Sequence, residues 1–542
     1  MKPETPQSIV RWHKVATITL MLLLAGFWLY VNWNEPASFY TVKYDPEFPY
    51  FMNSLAVFKG KPYIYIEHPG IPLELLGTGL LALTYPFIQG TSDTFVMYHL
   101  SRPELFLTLV RAFLSLFGLI CVFLLSRHSV RIKHWTDAFF SIAVAATFFA
   151  VLSPLTFDSL TYWSHNSFNF PFGTLLLLLL LMRLRSNQEI RWWEISLFGM
   201  GAGILTAVTI YHATWVIGIA VAICISDFLK KRRWHKIILS GLIVGISSIF
   251  GFIVATIPMA KRYRYFLWWV KHLITHQGRY GKGEIGITSL NQLQKNFAAL
   301  WSDAPILVIS LGLAIALIFM TLIIHRRKLN QNPGLWGIAL GLSVQSIATF
   351  LIILKHYGRT YLLAVAAILP LLLSAVYSLL SKSNPRARRT LVVLGSIIIF
   401  GFAYGFVESI TEHKNTVSDI YLMEAELSEY KTNFSSTSGK NPESLSILWG
   451  YGVGSRCFAL HFGDFWAGNA FSEEIPRLCP NEGRYDVWSD QGKLSTNMEW
   501  DIIIVPERHL PKDAGEYGTV IFSDAETTRH GKVVFIVSTN DK

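Results

Sequence analysis

Two carboxylates, Asp45 and Glu47, stand two residues apart in the run Tyr44-Asp45-Pro46-Glu47-Phe48-Pro49-Tyr50. The run follows an apolar stretch, Val15 to Val31, and a short polar link. Further on comes Glu67-His68-Pro69-Gly70. Acidic side chains at a membrane surface are poor lipid binders. They make sense there as groups that take a proton from an attacking hydroxyl or amine, hold a divalent metal, or orient a polar substrate. Asp45 ahead of Pro46 also reads as a helix cap, and the two readings are compatible.

Basic residues form a second set. The stretch 259–303 holds Lys261, Arg262, Arg264, Lys271, His272, His276, Arg279, Tyr280 and Lys282, with glycines at 278, 281 and 283. Arginine binds phosphate as a fork and lysine as a point charge, and glycine lets backbone approach an anion. This is a candidate phosphate site; the plainer reading is contact with anionic headgroups. The turn Lys355-His356-Tyr357-Gly358-Arg359-Thr360-Tyr361 adds His356 and Arg359 as candidates. Lys355 reads as a snorkelling span end. Between Leu155 and Phe170 lie Asp158, Tyr162, Trp163, His165 and Asn166, an aromatic belt that could also stack on a sugar face. Arg111 falls inside an apolar run, where an arginine is usually paired; Asp158 and Glu74 are within its expected reach.

The elements that position these groups are membrane helices. The 542 residues are 52% hydrophobic and 15% charged, with a mean hydropathy of +0.38. A soluble chain would carry about 25% charge. The net charge of +11 does not point to nucleic acid, because the basic residues cluster in short loops between apolar runs. Eleven stretches are apolar enough to span: 14–31, 104–126, 136–152, 169–184, 194–209, 211–229, 236–258, 304–325, 334–354, 359–381 and 389–409. The stretch 71–88, with Pro72, Glu74, Gly77, Gly79 and Pro86, reads as an interfacial helix. Counted that way, every short basic loop falls on one side, which puts the N-terminus in the cytoplasm and the C-terminus outside. The first run lacks a cleavage pattern and reads as a retained span.

Residues 1–410 therefore read as a polytopic all-α membrane domain with outer loops 32–103 and 259–303. Residues 411–542 read as a small extracytoplasmic α/β domain, with an amphipathic helix over 416–432 and buried strands over 445–449, 500–505 and 532–537. Cys121 and Cys224 lie in apolar runs; Cys457 and Cys479 could pair in an oxidising compartment.

Taken together, the first-loop acidic motif, the interfacial helix after His68-Pro69-Gly70, the span around Arg111, the long outer loop and the aromatic-basic turn before Pro370 resemble the GT-C superfamily of membrane glycosyltransferases. Lipid A aminoarabinose transferases and protein O-mannosyltransferases belong to it. The resemblance covers roughly residues 1–410 and is most specific over Asp45 to Ile88. It implies a GT-C-like fold in a bacterial inner membrane, a polyprenyl-phosphate-linked sugar as donor, and inverting transfer on the periplasmic face of the cell envelope. The acceptor would be a glycan, a lipid or a protein. Asp45 matches the family's first-loop aspartate and would be the base, with Glu47 and His68 orienting the acceptor or Asp45. Arg262, Arg264, His276, Arg279, Tyr280, Lys282, His356 and Arg359 would hold the donor phosphate, and Asp158, Trp163 and Arg111 would line the substrate cleft. The sequence departs from the family's adjacent acidic pair by inserting Pro46. It also carries His68-Pro69-Gly70 where relatives often have Pro-Pro. No cofactor is required, although a divalent metal is compatible with the acidic pair. The rival readings are a multi-span transporter or lipid flippase, for which inverted repeats would be expected, and an envelope scaffold.

Overall fold

A computed structural model describes residues 6–33, 40, 44–65, 70–88, 90–186, 188–275, 290–324, 326–355, 357–383, 385–451, 453–484, 500–527 and 531–538. All eleven apolar stretches are helical. Among the described residues, nine helices are long and apolar enough to cross a membrane. The other two, Trp135–Val151 and Trp192–Val208, have 17 residues each, the lower limit for a span. The chain is a polytopic all-α membrane protein carrying a small C-terminal sheet.

The stretch 71–88 is helical, as expected. It runs as a helix from Ile71 to Phe87 and meets a second helix, Ser92–Ser101, at a bend of 110°. The polar sequence around Gly90, whose φ is +130°, breaks the helical course.

The chain divides into two compact units. One comprises 1–28, 66–73 and 112–409; the other comprises 29–65, 74–111 and 410–542. The first is a helical bundle whose buried side chains are mostly aliphatic and aromatic. Close approach rests on small residues, as expected where lipid gives no hydrophobic drive between helices. A Cβ at Gly203, in the helix Trp192–Val208, would lie 2.0 Å from the carbonyl oxygen of Ser248, in the helix Trp234–Thr256.

In the second unit the C-terminal residues pack with residues 29–65 and 74–111. The amphipathic helix expected over 416–432 is part of one 54-residue helix, Pro385–Ser438. No proline or glycine falls between Phe406 and Ser438 to interrupt it. A five-stranded sheet follows, in the order β2-β1-β3-β5-β4. β1 (Ile447–Trp449) runs parallel to β2 (Glu482–Arg484) and to β3 (Ile502–Pro506). β4 (Gly518–Thr527) and β5 (Gly531–Ser538) complete it antiparallel. Leu448, Ile503, Val505, Val534 and Ile536 form its core. The three expected strands are present; β2 and β4 are additional.

β1 leads into the helix Arg456–Trp466, which Ser455 caps by accepting the N–H of Phe458. That helix lies on Tyr44–Phe58, so closely that a Cβ at Gly463 would come within 2.7 Å of the Phe48 carbonyl oxygen. Lys59 pairs with Glu474 at 2.9 Å, and Arg456 reaches the carbonyl of Leu100 at 3.1 Å. Cys457 and Cys479 are joined by a disulfide.

Candidate active site

Asp45 has extended backbone angles (φ −106°, ψ 114°), those of a residue that precedes a helix, and Pro46 follows as the first helical residue. This geometry leaves the Asp45 side chain exposed. Its Oδ2 accepts a hydrogen bond from the Tyr451 hydroxyl at 2.9 Å.

Glu47, one helical step inward, is fully buried. Its Oε1 accepts from Nε of Arg111 at 2.7 Å, and Nη2 of Arg111 donates to Oε2. The third arm, Nη1, donates to Oδ1 of Asn32 at 2.9 Å. Arg111 is fully buried as well. The sequence pointed Arg111 toward Asp158 or Glu74; the carboxylate it meets is Glu47. A two-pronged fork on a planar carboxylate fixes both groups, and it satisfies a charge that would otherwise be costly to bury. Residues 45–47 thus divide their labour: one carboxylate is presented outward and the next anchors the helix that presents it.

Tyr451 is the residue that sequence reasoning missed. It lies in the loop after β1, Gly450-Tyr451-Gly452-Val453-Gly454. A glycine-rich turn between a strand and a helix is a recurrent ligand-facing device, and it was the available signal. The strand order 2-1-3 also reverses direction at β1, so a ligand is expected at the carboxyl ends of β1 and β3. Tyr451 follows β1, and His509 closes the short turn Glu507–His509 after β3. Their rings meet edge to face with centroids 6.2 Å apart. Burial, and then the nearby charge of Arg508, push the His509 imidazole below its ordinary range. An aromatic path continues from Tyr451 to Phe462 (5.8 Å), Trp466 (6.3 Å) and Tyr65 (5.3 Å).

On the helix beneath, burial raises the Asp464 carboxyl to about 6 although it accepts the Phe471 N–H at 2.8 Å. Burial lowers the imidazole of His461.

The remaining candidates belong to the first unit. Arg262, half-buried, ends the turn Ile257–Arg262; Arg264, exposed, lies in the next helix, Tyr263–Thr275. Arg359 is exposed in the turn Arg359–Leu362. The segments 263–275 and 290–303 are fastened to Leu354, Lys355 and Tyr357. Asn296 donates to the Leu354 carbonyl at 2.8 Å, Tyr357 donates to Oδ2 of Asp303 at 2.5 Å, and the Lys355 ammonium donates to the Ile274 carbonyl. Burial and then that bond to Asp303 push the Tyr357 phenol up. Asp158 is half-buried and Trp163 fully buried; in this state Trp163 offers no open face to a sugar. His68, His276, Arg279, Tyr280, Lys282 and His356 lie outside the described residues. Among the described residues, no group of three or more His, Cys, Asp or Glu side chains gathers as a metal site.

No family model matches the chain, and no curated protein does. Among solved structures, ArnT from Cupriavidus metallidurans bound to undecaprenyl phosphate aligns with 97% of this chain and 98% of its own, at 10% identity and a TM-score of 0.49. The apo state of that ArnT aligns with 96% of this chain and 97% of its own, at 12% identity and a TM-score of 0.48. At these values the likeness assigns no activity.

Proposed function

We propose that the chain is a membrane glycosyltransferase that moves a sugar from a polyprenyl-phosphate donor to an acceptor at the outer face of the membrane. The observation that carries this reading is Asp45: an exposed carboxylate held by the Tyr451 hydroxyl, at the head of a helix anchored by the buried Glu47–Arg111 pair. Asp45 acts as general base. It takes the proton from the acceptor nucleophile as that atom bonds to the anomeric carbon. The bond from that carbon to the phosphate oxygen breaks, and its electron pair stays on the polyprenyl phosphate. Attack opposite the leaving group inverts the anomeric centre.

The leaving phosphate gains charge, so cations are needed where it forms. We assign that role to Arg262, Arg264 and Arg359, with His276, Arg279, Tyr280, Lys282 and His356 as further candidates. Glu47 and Arg111 act as positioning residues for Asp45. The N-terminus is cytoplasmic and the sheet extracytoplasmic, in keeping with the side on which the basic loops gather and with the bonded cysteines.

The test is lipid and envelope analysis of a deletion strain complemented with wild type or Asp45→Asn. A prenyl-linked monosaccharide should accumulate in the deletion strain and with Asp45→Asn, while one decorated envelope product disappears. Full product with Asp45→Asn would overturn the assignment.

A further inference from the structure

At the end of the helical bundle that carries the basic loops lies a cavity of about 580 Å³. That volume is within the usual range for a small-molecule site, roughly 300–1,000 Å³. It is formed where the helices His165–Arg185 and Leu369–Ser383 end and where Trp135–Val151 and Pro333–Lys355 begin. Its walls include Arg131, Lys133, His134, Arg185, Asn332 and Tyr377. All of these residues belong to one unit of the fold. The outer-face chemistry proposed above makes no use of them.

Its charge is one-sided. Arg185 is held by neutral groups: Nη1 donates to the Ser129 carbonyl at 2.6 Å, and Nη2 donates to Oγ of Ser378 at 2.7 Å. Arg131 comes alongside, its Nη2 donating to the Arg185 carbonyl at 3.4 Å. The carboxylate in the wall, Asp137, is turned to other work. Its Oδ2 accepts the backbone N–H groups of Lys133 and His134, both at 2.9 Å, and its Oδ1 accepts the Tyr377 hydroxyl at 2.5 Å. Two guanidinium groups and an ammonium therefore share one hollow, and the carboxylate there caps a helix. Like charges gathered in one hollow repel one another, and an anion between them relieves that repulsion.

We infer that this cavity binds a phosphate group, supplied by the headgroup of an anionic phospholipid or by a soluble phosphate ester. Phosphate offers several acceptor oxygens to forked and point-charge donors, which suits this lining. Basic pockets between helices on the cytoplasmic side are a recurrent place for anionic headgroups.

Native mass spectrometry of the delipidated full-length protein, titrated with phosphatidylglycerol or phosphatidylcholine, tests this. Wild type should retain phosphatidylglycerol at least about tenfold better than phosphatidylcholine. Arg131→Ala with Lys133→Ala should lose most of that preference. Arg11→Ala with Lys14→Ala, which removes equal charge elsewhere, should keep it. Should the double variant fold poorly, Lys133→Gln alone alters only an exposed side chain and should lower retention severalfold. Displacement of the lipid by excess inorganic phosphate would mark a soluble phosphate ester as the source. Retention despite phosphate would mark the lipid headgroup. Equal retention by wild type and the cavity variants, or an equal loss in the control, would overturn the inference.

Discussion

The Tyr451 hydroxyl donates to Oδ2 of Asp45 at 2.9 Å across 406 residues of sequence. A loop of the C-terminal sheet therefore sets the orientation of a carboxylate at the head of the helix Tyr44–Phe58. Removing the hydroxyl while keeping the ring isolates that effect. Tyr451→Phe should lower turnover on the order of tenfold, about the worth of one hydrogen bond to a charged group, and leave thermal stability nearly unchanged. Steady-state transfer with purified protein checks this. Wild-type turnover in the variant would remove Tyr451 from the site.

Breaking the buried pair is a stability experiment. Arg111→Met strands the Glu47 carboxylate in a fully buried position and should cost about 3–5 kcal/mol. Adding Glu47→Gln should restore part of that loss, because the neutral amide is cheaper to bury unpaired. Melting of the two variants in detergent gives the comparison; equal melting temperatures would show that the pair is not coupled.

The Cys457–Cys479 bond closes a separation of 22 residues. Loop-closure entropy then gives about 3 kcal/mol. Replacing both cysteines by serine should lower stability by that order and make the segment between them more susceptible to proteolysis. A limited-digestion time course, with and without reductant, checks it.

Asp464 gives a pH signature. Its carboxyl is raised from the ordinary 3.8 to about 6 by burial. Between these values the unfolded chain has given up the proton and the folded chain has kept it. This group's contribution therefore falls as pH rises from about 4 to about 6, and is level above that. Asp464→Asn keeps an oxygen for the Phe471 N–H and should remove this group's share of the slope. The depressed His461 acts in the opposite sense, weakening the fold as pH drops below its ordinary value. Subtracting variant from wild type removes that contribution. Melting temperatures across pH 4 to 7 are the measurement, and parallel curves would contradict the assignment to Asp464.

Much of the helical architecture was legible because membrane spans announce themselves by composition alone: each of the eleven apolar stretches is helical. Asp45 and Glu47 were legible as a pair, but their division of labour was not. That depends on which face of one helical turn is buried, and the decisive partner, Arg111, lies 64 residues further along. β2 was invisible for a different reason. Glu482-Gly483-Arg484 has no hydrophobic alternation and is a strand only because β1 lies beside it. Tyr451 was marked by its flanking glycines, yet nothing local connects it to Asp45. The long helix through 385–438 hid its continuity behind a switch from apolar to polar residues near Glu408, which reads as a domain edge.

The role proposed for Asp45 is to remove a proton from the acceptor during sugar transfer. Its most direct test is single-turnover transfer from a defined polyprenyl-phosphate sugar by purified wild type and Asp45→Asn, with donor binding measured on the same samples. A general base at this position should cost the variant at least about a hundredfold in rate, the lower end of what a positioned base contributes, with donor affinity unchanged. Transfer at the wild-type rate by Asp45→Asn would contradict it.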